Sequence, residues 1–368
     1  MTYPAHAHFE RILIVRLSSM GDVIHALPAA AVLRSAFPNA TLGWLIEERW
    51  AELLCTLSCP RAGERSLQRP LVDHIHPVSL KAWRRSIFSP QTWERIAAGL
   101  SDLRAVRYQA AIDFQGAARS AILARWSGAP TLFGAIQPRE HAATMWYTRE
   151  VLTRGVHVVE QACSLAEAVT GESTPIPPAQ FPFDPIAEAA VDLRFHQAGI
   201  REFAILNPGA GWGAKQWPAR RYGEVAQALA KQGLRIILNF GPGEEALARE
   251  AEVASAGTAV AFSFSLSELI AITRRARLFI GGDTGPMHLA AAFNVPVVAL
   301  FGPTDPRRNG PFATRSIVLR HPASQNSLSH RNEPDPGLLA ITPEQVTEAA
   351  LELLSESQNL AASGGVHG

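Results

Sequence analysis

Cysteine is scarce: Cys55, Cys59 and Cys163 are the only three in the chain. Three thiols cannot build a disulfide framework. Cys55-x-x-x-Cys59 has neither a second pair nor a histidine cluster to complete a zinc site. No apolar run approaches the roughly 20 residues of a membrane-spanning helix. The stretch Met1 to Glu10 lacks the apolar core of a signal peptide, so the expectation is a cytosolic protein. With 34 basic and 33 acidic residues the net charge is +1. That balance gives no global attraction to nucleic acid, so a charged partner would need a local patch. There is no Asp-x-Asp to hold a metal–diphosphate, and the 12 histidines form no HExxH-like pair. The sequence therefore points to no metal and no cofactor.

What is present is an alternation of short apolar runs with helical segments, twice over. Arg11 to Leu17 reads as a buried strand, Val23 to Ala36 as a helix and Thr41 to Ile46 as the next strand. Cys59 to Pro70, with Arg61, Arg65 and Arg69, reads as a surface loop. Lys81 to Phe88 interleaves cations with aromatics, then come a helix over Gln91 to Ala105, a strand over Tyr108 to Asp113 and helices over Gly116 to Trp126 and Glu160 to Val169. Pro175, Pro177, Pro178, Pro182 and Pro185 mark a linker. The alternation then restarts, with strands at Phe203 to Leu206, Leu234 to Phe240, Ala276 to Ile280 and Val295 to Phe301. Helices fall between them at Arg221 to Gln232, Glu244 to Ala256 and Leu266 to Arg275. His321 to Gly337 reads as loop and Thr342 to Leu354 as a last helix. The expected organisation is an N-terminal Rossmann-like domain over 1–173, a Pro-rich linker over 174–187 and a second Rossmann-like domain over 188–354. A disordered tail is expected over 355–368. The fold class is α/β, with parallel sheets whose ligands bind at the carboxyl ends of the strands.

Three junctions carry chemistry. Gly281-Gly282-Asp283-Thr284-Gly285-Pro286 turns a strand into a helix, with residues able to cap it and a proline suited to its first turn. Its unpaired amides and dipole suit a phosphate. Gly209-Ala210-Gly211-Trp212-Gly213-Ala214-Lys215 is no Walker motif, since glycine does not directly precede the lysine and Gln216 stands where Ser or Thr would bind magnesium. It remains a glycine-rich loop with one cation, suited to a diphosphate. Asp22 sits at the end of the first strand, where a carboxylate caps a helix or faces a ligand as general base. Gly241-Pro242-Gly243-Glu244-Glu245-Ala246 has the spacing of a dinucleotide fingerprint but lacks an acidic residue about 20 positions on, which argues against a nicotinamide cofactor.

Together these stretches resemble the bacterial heptosyltransferases of lipopolysaccharide core synthesis, glycosyltransferase family 9. Ser18-Ser19-Met20-Gly21-Asp22-Val23 with His25, Leu27 and Pro28 carries the resemblance, and its Ser-Ser-Met form is nearest the heptosyltransferase I branch. So do Asp113-x-Gln115-Gly116, Arg139-Glu140 with Tyr147-x-Arg149, Lys215-x-Trp217-Pro218, Asp283-Thr284-Gly285-x-x-His288 and Gly302-Pro303-Thr304-Asp305-Pro306. The resemblance implies a GT-B architecture, two Rossmann-like domains facing a crevice. It implies metal-independent, inverting transfer of L-glycero-D-manno-heptose from ADP-heptose to a Kdo sugar of lipid A. Such an enzyme would be cytoplasmic and peripheral at the inner membrane, with no nucleic acid partner. By resemblance Asp22 is the general base and Lys215 the diphosphate-holding cation. Gly209, Ala210, Asp283, Thr284, Gly285 and His288 line the donor site, and Glu244 or Glu245 binds the ribose. Ser19, Met20, Gly21, Gln115 and the cations Lys81, Arg84, Arg85 and Arg139 fall on the acceptor side. The loop Asn207 to Trp212 is nearer the second heptosyltransferase than the first, so another sugar or core acceptor remains open. So do a two-domain nucleotide-sugar epimerase or hydrolase and a non-catalytic nucleotide-binding module.

Overall fold

A computed structural model describes residues 8–327 and 333–364. The start of the stretch read for a signal peptide, part of the loop expected over His321 to Gly337 and the last four residues of the expected tail lie outside them. The chain divides into two compact units, one ending at Asp184 and the other beginning at Pro185.

The first unit runs β1 (Arg11–Val15), α1 (Met20–Ala36), β2 (Thr41–Glu47), β3 (His74–Val78), α2 (Leu80–Arg85), α3 (Pro90–Ala105), β4 (Ala110–Asp113), α4 (Ala118–Trp126), β5 (Thr131–Ala135), β6 (Arg149–Val151) and α5 (Val158–Thr170). Its six strands are parallel and ordered β3-β2-β1-β4-β5-β6. The core is built on Leu13, Val15, Leu45, Tyr108, Ala111 and Leu132. α1 is buried along most of its length and packs on α5, which explains why its apolar residues show no one-sided stripe. The segment 59–73 departs from a simple surface loop. Arg69 is fully buried at its centre, donating from Nε to the Val72 carbonyl, from Nη2 to Glu64 and from Nη1 to Pro60. Arg34 of α1 pairs with Asp73 and holds the Leu71 and Ala40 carbonyls, so buried guanidiniums replace an apolar core here.

The second unit runs α6 (Pro185–Gln197), β7 (Phe203–Asn207), α7 (Ala219–Ala230), β8 (Arg235–Phe240), α8 (Glu245–Ala254), β9 (Ala259–Ser263), α9 (Leu266–Thr273), β10 (Leu278–Gly282), α10 (Gly285–Ala292), β11 (Val297–Leu300), α11 (Pro306–Asn309), β12 (Ser316–Leu319), α12 (Pro336–Ala340) and α13 (Pro343–Gly364). Its sheet is again six parallel strands, ordered β12-β11-β10-β7-β8-β9. Read from β7, this is the same 3-2-1-4-5-6 order as in the first unit. Trp217 anchors the core, its ring edge-on to Tyr222 at 4.9 Å and its Nε1 donating 3.0 Å to the Ile341 carbonyl. α13 continues ten residues beyond Leu354, where the sequence pattern suggested a helix end.

In this strand order the chain winds outward in both directions from the middle of the sheet. The connections from the two central strands therefore leave on opposite faces and open a hollow at their carboxyl ends. The switch points are β1/β4 in the first unit and β7/β10 in the second.

Candidate active site

At the β1/β4 switch point the chain leaves Val15 through Arg16, Leu17 and Ser18 and enters α1 at Ser19. Asp22, in the first turn of α1, reaches back: Oδ2 accepts the Ser19 N–H at 2.8 Å and the Ser19 hydroxyl at 3.0 Å. Its Oδ1 meets Arg16 Nη2 at 2.5 Å, and Arg16 Nη1 donates to the Phe114 carbonyl past β4. Burial pushes the Asp22 carboxyl up. The Arg16 guanidinium and the Ser19 donors outweigh this and hold it below the ordinary aspartate value. Asp22 is thus both the helix cap and an ionised carboxylate, and its side chain is still 32% exposed. Ser19 is exposed, whereas Met20 and Gly21 are buried in the first turn of α1.

Gln115 lies in the same hollow. Its Oε1 accepts the Leu17 N–H at 2.8 Å and the Ser18 N–H at 3.4 Å. Its buried Nε2 has no partner among the described residues. The loop beneath is fixed by Asp113, which accepts from Gln115 N, Gly116 N, Ser120 Oγ and Tyr147 Oη at 2.9 to 3.2 Å. Complete burial raises the Asp113 pKa despite these donors, and the side chain serves as a scaffold. Gly116 adopts φ +65°, and a Cβ there would lie 2.9 Å from the Arg139 backbone nitrogen. That close approach sets Arg139 beside Gln115, and Glu140 Oε2 caps α4 by accepting the Ala118 N–H at 2.9 Å.

Lys81, Arg84 and Arg85 are exposed on α2, past the end of β3. β3 stands two strands from β1 and β5 lies next to β4, so β3 and β5 are four strand spacings apart and at about 4.8 Å per strand the rim from α2 to Arg139 extends roughly 20 Å. Glu47 stands at the end of β2, with the Leu80 amide at the start of α2 among the groups that favour its charged form. Burial raises its pKa against the opposing charges of Arg49 and Arg119.

At the β7/β10 switch point Asn207 ends β7 with its Nδ2 donating 2.9 Å to the Gly209 carbonyl, and Asn239 of β8 donates 2.6 Å to Asn207 Oδ1. This buried pair shapes the loop that carries Gly209, Ala210 and Lys215. A Cβ on Gly282 would lie 3.1 Å from the Lys215 carbonyl, so glycine there lets the lysine loop close on the start of α10. Lys215 Nζ bonds Asp283 Oδ2 at 2.5 Å and sits 4.3 Å from the Trp212 ring centroid. His288 Nε2 meets Asp283 Oδ1 at 3.1 Å. Burial raises the Asp283 pKa, but the His288 hydrogen bond and the Lys215 charge depress it well below the usual range. The Asp283 carboxylate is thus committed to orienting a cation and an imidazole. Thr284 caps α10 with Pro286 in its first turn, leaving the first amides of the helix without intrahelical partners.

Glu244 and Glu245 separate clearly. The Glu244 carboxylate lies against Gly209, filling the space a Cβ there would need, and accepts the Gly241 N–H at 2.8 Å. Glu245 is exposed and accepts from Gly243 N at the start of its own helix. Thr304, past the end of β11, is buried with a hydroxyl that has no partner among the described residues.

Sequence reasoning missed Arg16 and the Asn207–Asn239 pair, and it named Trp212 and Thr304 only as members of their motifs, without a role of their own. Arg16 carried a signal, being a cation one residue past a switch-point strand. The asparagine pair carried none, because its partners come from different strands. Among the described residues no three His, Cys, Asp or Glu side chains are grouped to hold a metal, and all three cysteines are buried free thiols.

Two parallel sheets of one strand order, each with charged groups at its switch point, define an α/β protein of two Rossmann-like units, the GT-B class of fold. The profile of glycosyltransferase family 9 (heptosyltransferase) matches residues 97–336. Lipopolysaccharide heptosyltransferase 1 of Escherichia coli K12 is 30% identical over 316 residues, covering 85% of this chain and 94% of the relative. The protein of that name from Pseudomonas aeruginosa is 30% identical over 318 residues, covering 84% and 83%. The solved structure of E. coli heptosyltransferase WaaC with ADP superposes with a TM-score of 0.72 at 27% identity, covering 94% of this chain and 99% of that one. WaaC with ADP-2-deoxy-2-fluoro heptose gives 0.70 at 27% identity, covering 95% and 99%. The chain belongs to glycosyltransferase family 9, the heptosyltransferases, as its dispersed sequence motifs implied.

Proposed function

We propose that the chain transfers L-glycero-D-manno-heptose from ADP-heptose to a Kdo sugar of lipid A, inverting the anomeric carbon without a metal. The observation that carries this is that one unit holds an ionised, part-exposed carboxylate at its switch point and the other a cation and a helix start at its own. An inverting displacement needs one base for the acceptor hydroxyl and positive charge where the leaving group departs. Asp22 takes the hydroxyl proton as the acceptor oxygen bonds C1. The C1–O bond to the diphosphate breaks and its electron pair leaves with ADP. Lys215, the loop at Gly209 and Ala210 and the first amides of α10 at Thr284 and Gly285 receive that charge. Asp283 acts through Lys215 and His288. The complexes of WaaC with ADP and a fluoro-heptose analogue support a donor of this kind.

Glu244 is the ribose ligand in this reading, because its carboxylate stands against Gly209 while Glu245 faces solvent. Ser19, Met20 and Gly21 at the start of α1, with the Gln115 amide, receive the reacting sugar. Lys81, Arg84, Arg85 and Arg139 bind the acceptor's phosphates and carboxylates. Catalysis takes place at the cytoplasmic face of the inner membrane, where the protein is peripheral; no described helix is long and apolar enough to cross a membrane.

The test is ADP release from ADP-heptose with and without Kdo-lipid A, in EDTA. Acceptor-dependent release that survives chelation is expected. Release without acceptor would instead mark a hydrolase. No release while ADP still binds would move the assignment to another sugar or acceptor within the family.

A further inference from the structure

We propose that the turn joining α2 to α3 is a docking surface for an anionic lipid bilayer, engaged whether or not the bilayer contains the acceptor. The apolar side chains at this turn are held outward by the backbone around them. Ser86 Oγ donates to the Ala82 carbonyl and contacts Thr92 Oγ1, each at 2.9 Å. The Trp93 indole N–H donates 2.7 Å to the Ile87 carbonyl, and the Ser89 N–H donates 2.9 Å to Ser86. The result is Phe88 at 98% exposure, Trp93 at 55% and Ile87 at 44%, three large apolar side chains within seven residues. Single exposed hydrophobics need no explanation, but a fixed cluster of this kind marks a contact surface.

Charge identifies the occupant. Lys81, Arg84 and Arg85 on α2 and Arg95 on α3 are exposed on the two helices that the turn joins, and Glu94 is the single carboxylate between Lys81 and Arg95 in sequence. None of the four cations has an ion-pair partner among the described residues. Cations flanking an aromatic tip fit the headgroup region of an anionic bilayer, where phosphates meet the cations and the aromatic and aliphatic groups enter the acyl boundary. Each Lys or Arg close to such a surface raises partitioning roughly fivefold. A hydrophobic protein groove would satisfy the tip but leave the flanking cations unmatched.

The inference shares Lys81, Arg84 and Arg85 with the acceptor reading but stands on Ile87 and Phe88, which have no role there. The experiment therefore uses the full chain and the double variant Ile87→Ser/Phe88→Ser, with Phe88→Glu as a second variant. Co-sedimentation is measured with phosphatidylcholine vesicles, plain or containing about a third phosphatidylglycerol, all without acceptor. Wild type is expected to bind the anionic vesicles alone, and both variants are expected to bind at least tenfold more weakly. Their turnover on a deacylated, water-soluble acceptor should be unchanged, which also shows that they fold. Equal binding by the variants, or equal binding to neutral vesicles, would overturn the proposal. No binding of wild type to the anionic vesicles would also overturn it and return the cations wholly to the acceptor site.

Discussion

The two switch points are built alike and used differently. Each holds a cation from the loop after the unit's first strand against an aspartate near the start of a helix, Arg16 with Asp22 and Lys215 with Asp283. In the first unit the carboxylate keeps 32% of its side chain in solvent and Arg16 keeps 14%. In the second unit Asp283 keeps only 7% and Lys215 11%, so both members are nearly buried and the carboxylate, which also binds His288, holds the lysine in place. The carboxylate is thus clearly the more exposed member of the pair in the first unit, whereas in the second the carboxylate is the less exposed one and has a second partner in His288. A displacement that removes a proton at one end and releases a diphosphate at the other requires that asymmetry.

The comparison breaks most visibly at Asp22 and Lys215. Asp22→Asn is expected to lower kcat by about 10²- to 10⁴-fold, the range for a lost general base. ADP affinity, measured by calorimetry, should be unchanged. Lys215→Gln should lower kcat by about 10²-fold or more and weaken ADP as well, because its charge is spent on the leaving group. If Asn at 22 weakens ADP binding while Gln at 215 does not, the two roles have been exchanged. Asp283→Asn tests the buried support. Removing one partner of a buried pair costs about 3–5 kcal/mol, so urea unfolding should show a clear loss of stability, larger than for Asp22→Asn.

Arg16 sharpens the comparison through pH. With Arg16 present, the Asp22 carboxyl titrates below the ordinary value of about 3.9. The acid limb of kcat/KM should then fall below that value, with Asp22 ionised at all higher pH. The same depression makes the ion pair's contribution to stability complete above the unfolded-state pKa and lost as pH falls through the folded one. Arg16→Met removes the stabilising charge and leaves the burial, so the acid limb should move up, with kcat/KM down by about tenfold at pH 7 from lost orientation. Arg16→Lys should restore most of both. An acid limb unmoved in Arg16→Met would show that the pair only supports the loop.

Much of this was legible because it is local. Val15 and Ile280 end apolar runs that turn at once into capped helices, so both switch points could be read from neighbours in sequence. Of the strands the sequence reading did not find, β5 is a short interior strand with a buried centre and the others are marginal. β3 is interrupted by His74, His76 and Pro77, β6 is three residues long and largely exposed, and β9 and β12 are half-exposed at or near sheet edges. α6 was hidden by its first residue, since Pro185 reads as the end of a proline-rich linker yet also suits the first turn of a helix. In the site, the side chains that escaped notice answer to distant partners. Asn207 meets Asn239 across two strands, and Arg69 is buried only because the carbonyls of its own loop converge on it. Spacing along the chain carries no trace of such convergence.

Glu244 and Glu245 offer the smallest effect and the finest test, since adjacent residues of identical chemistry differ only in where the fold sends them. Glu244 is held by the Gly241 N–H with its carboxylate against Gly209, whereas Glu245 is exposed and bonded to the amide of Gly243. Loss of one charged hydrogen bond to a ribose hydroxyl weakens binding by about tenfold or somewhat more. Glu244→Gln is therefore expected to weaken ADP by about tenfold in calorimetry, with Glu245→Gln within twofold of wild type. The control is ribose 5-phosphate against inorganic phosphate as competitors, because only a ribose ligand distinguishes them. If both variants lose ADP equally, the shared element is the α8 helix start and not the ribose. If Glu245→Gln alone loses it, the turn at Gly243 rearranges when the nucleotide binds, and the second switch point is less preformed than the first.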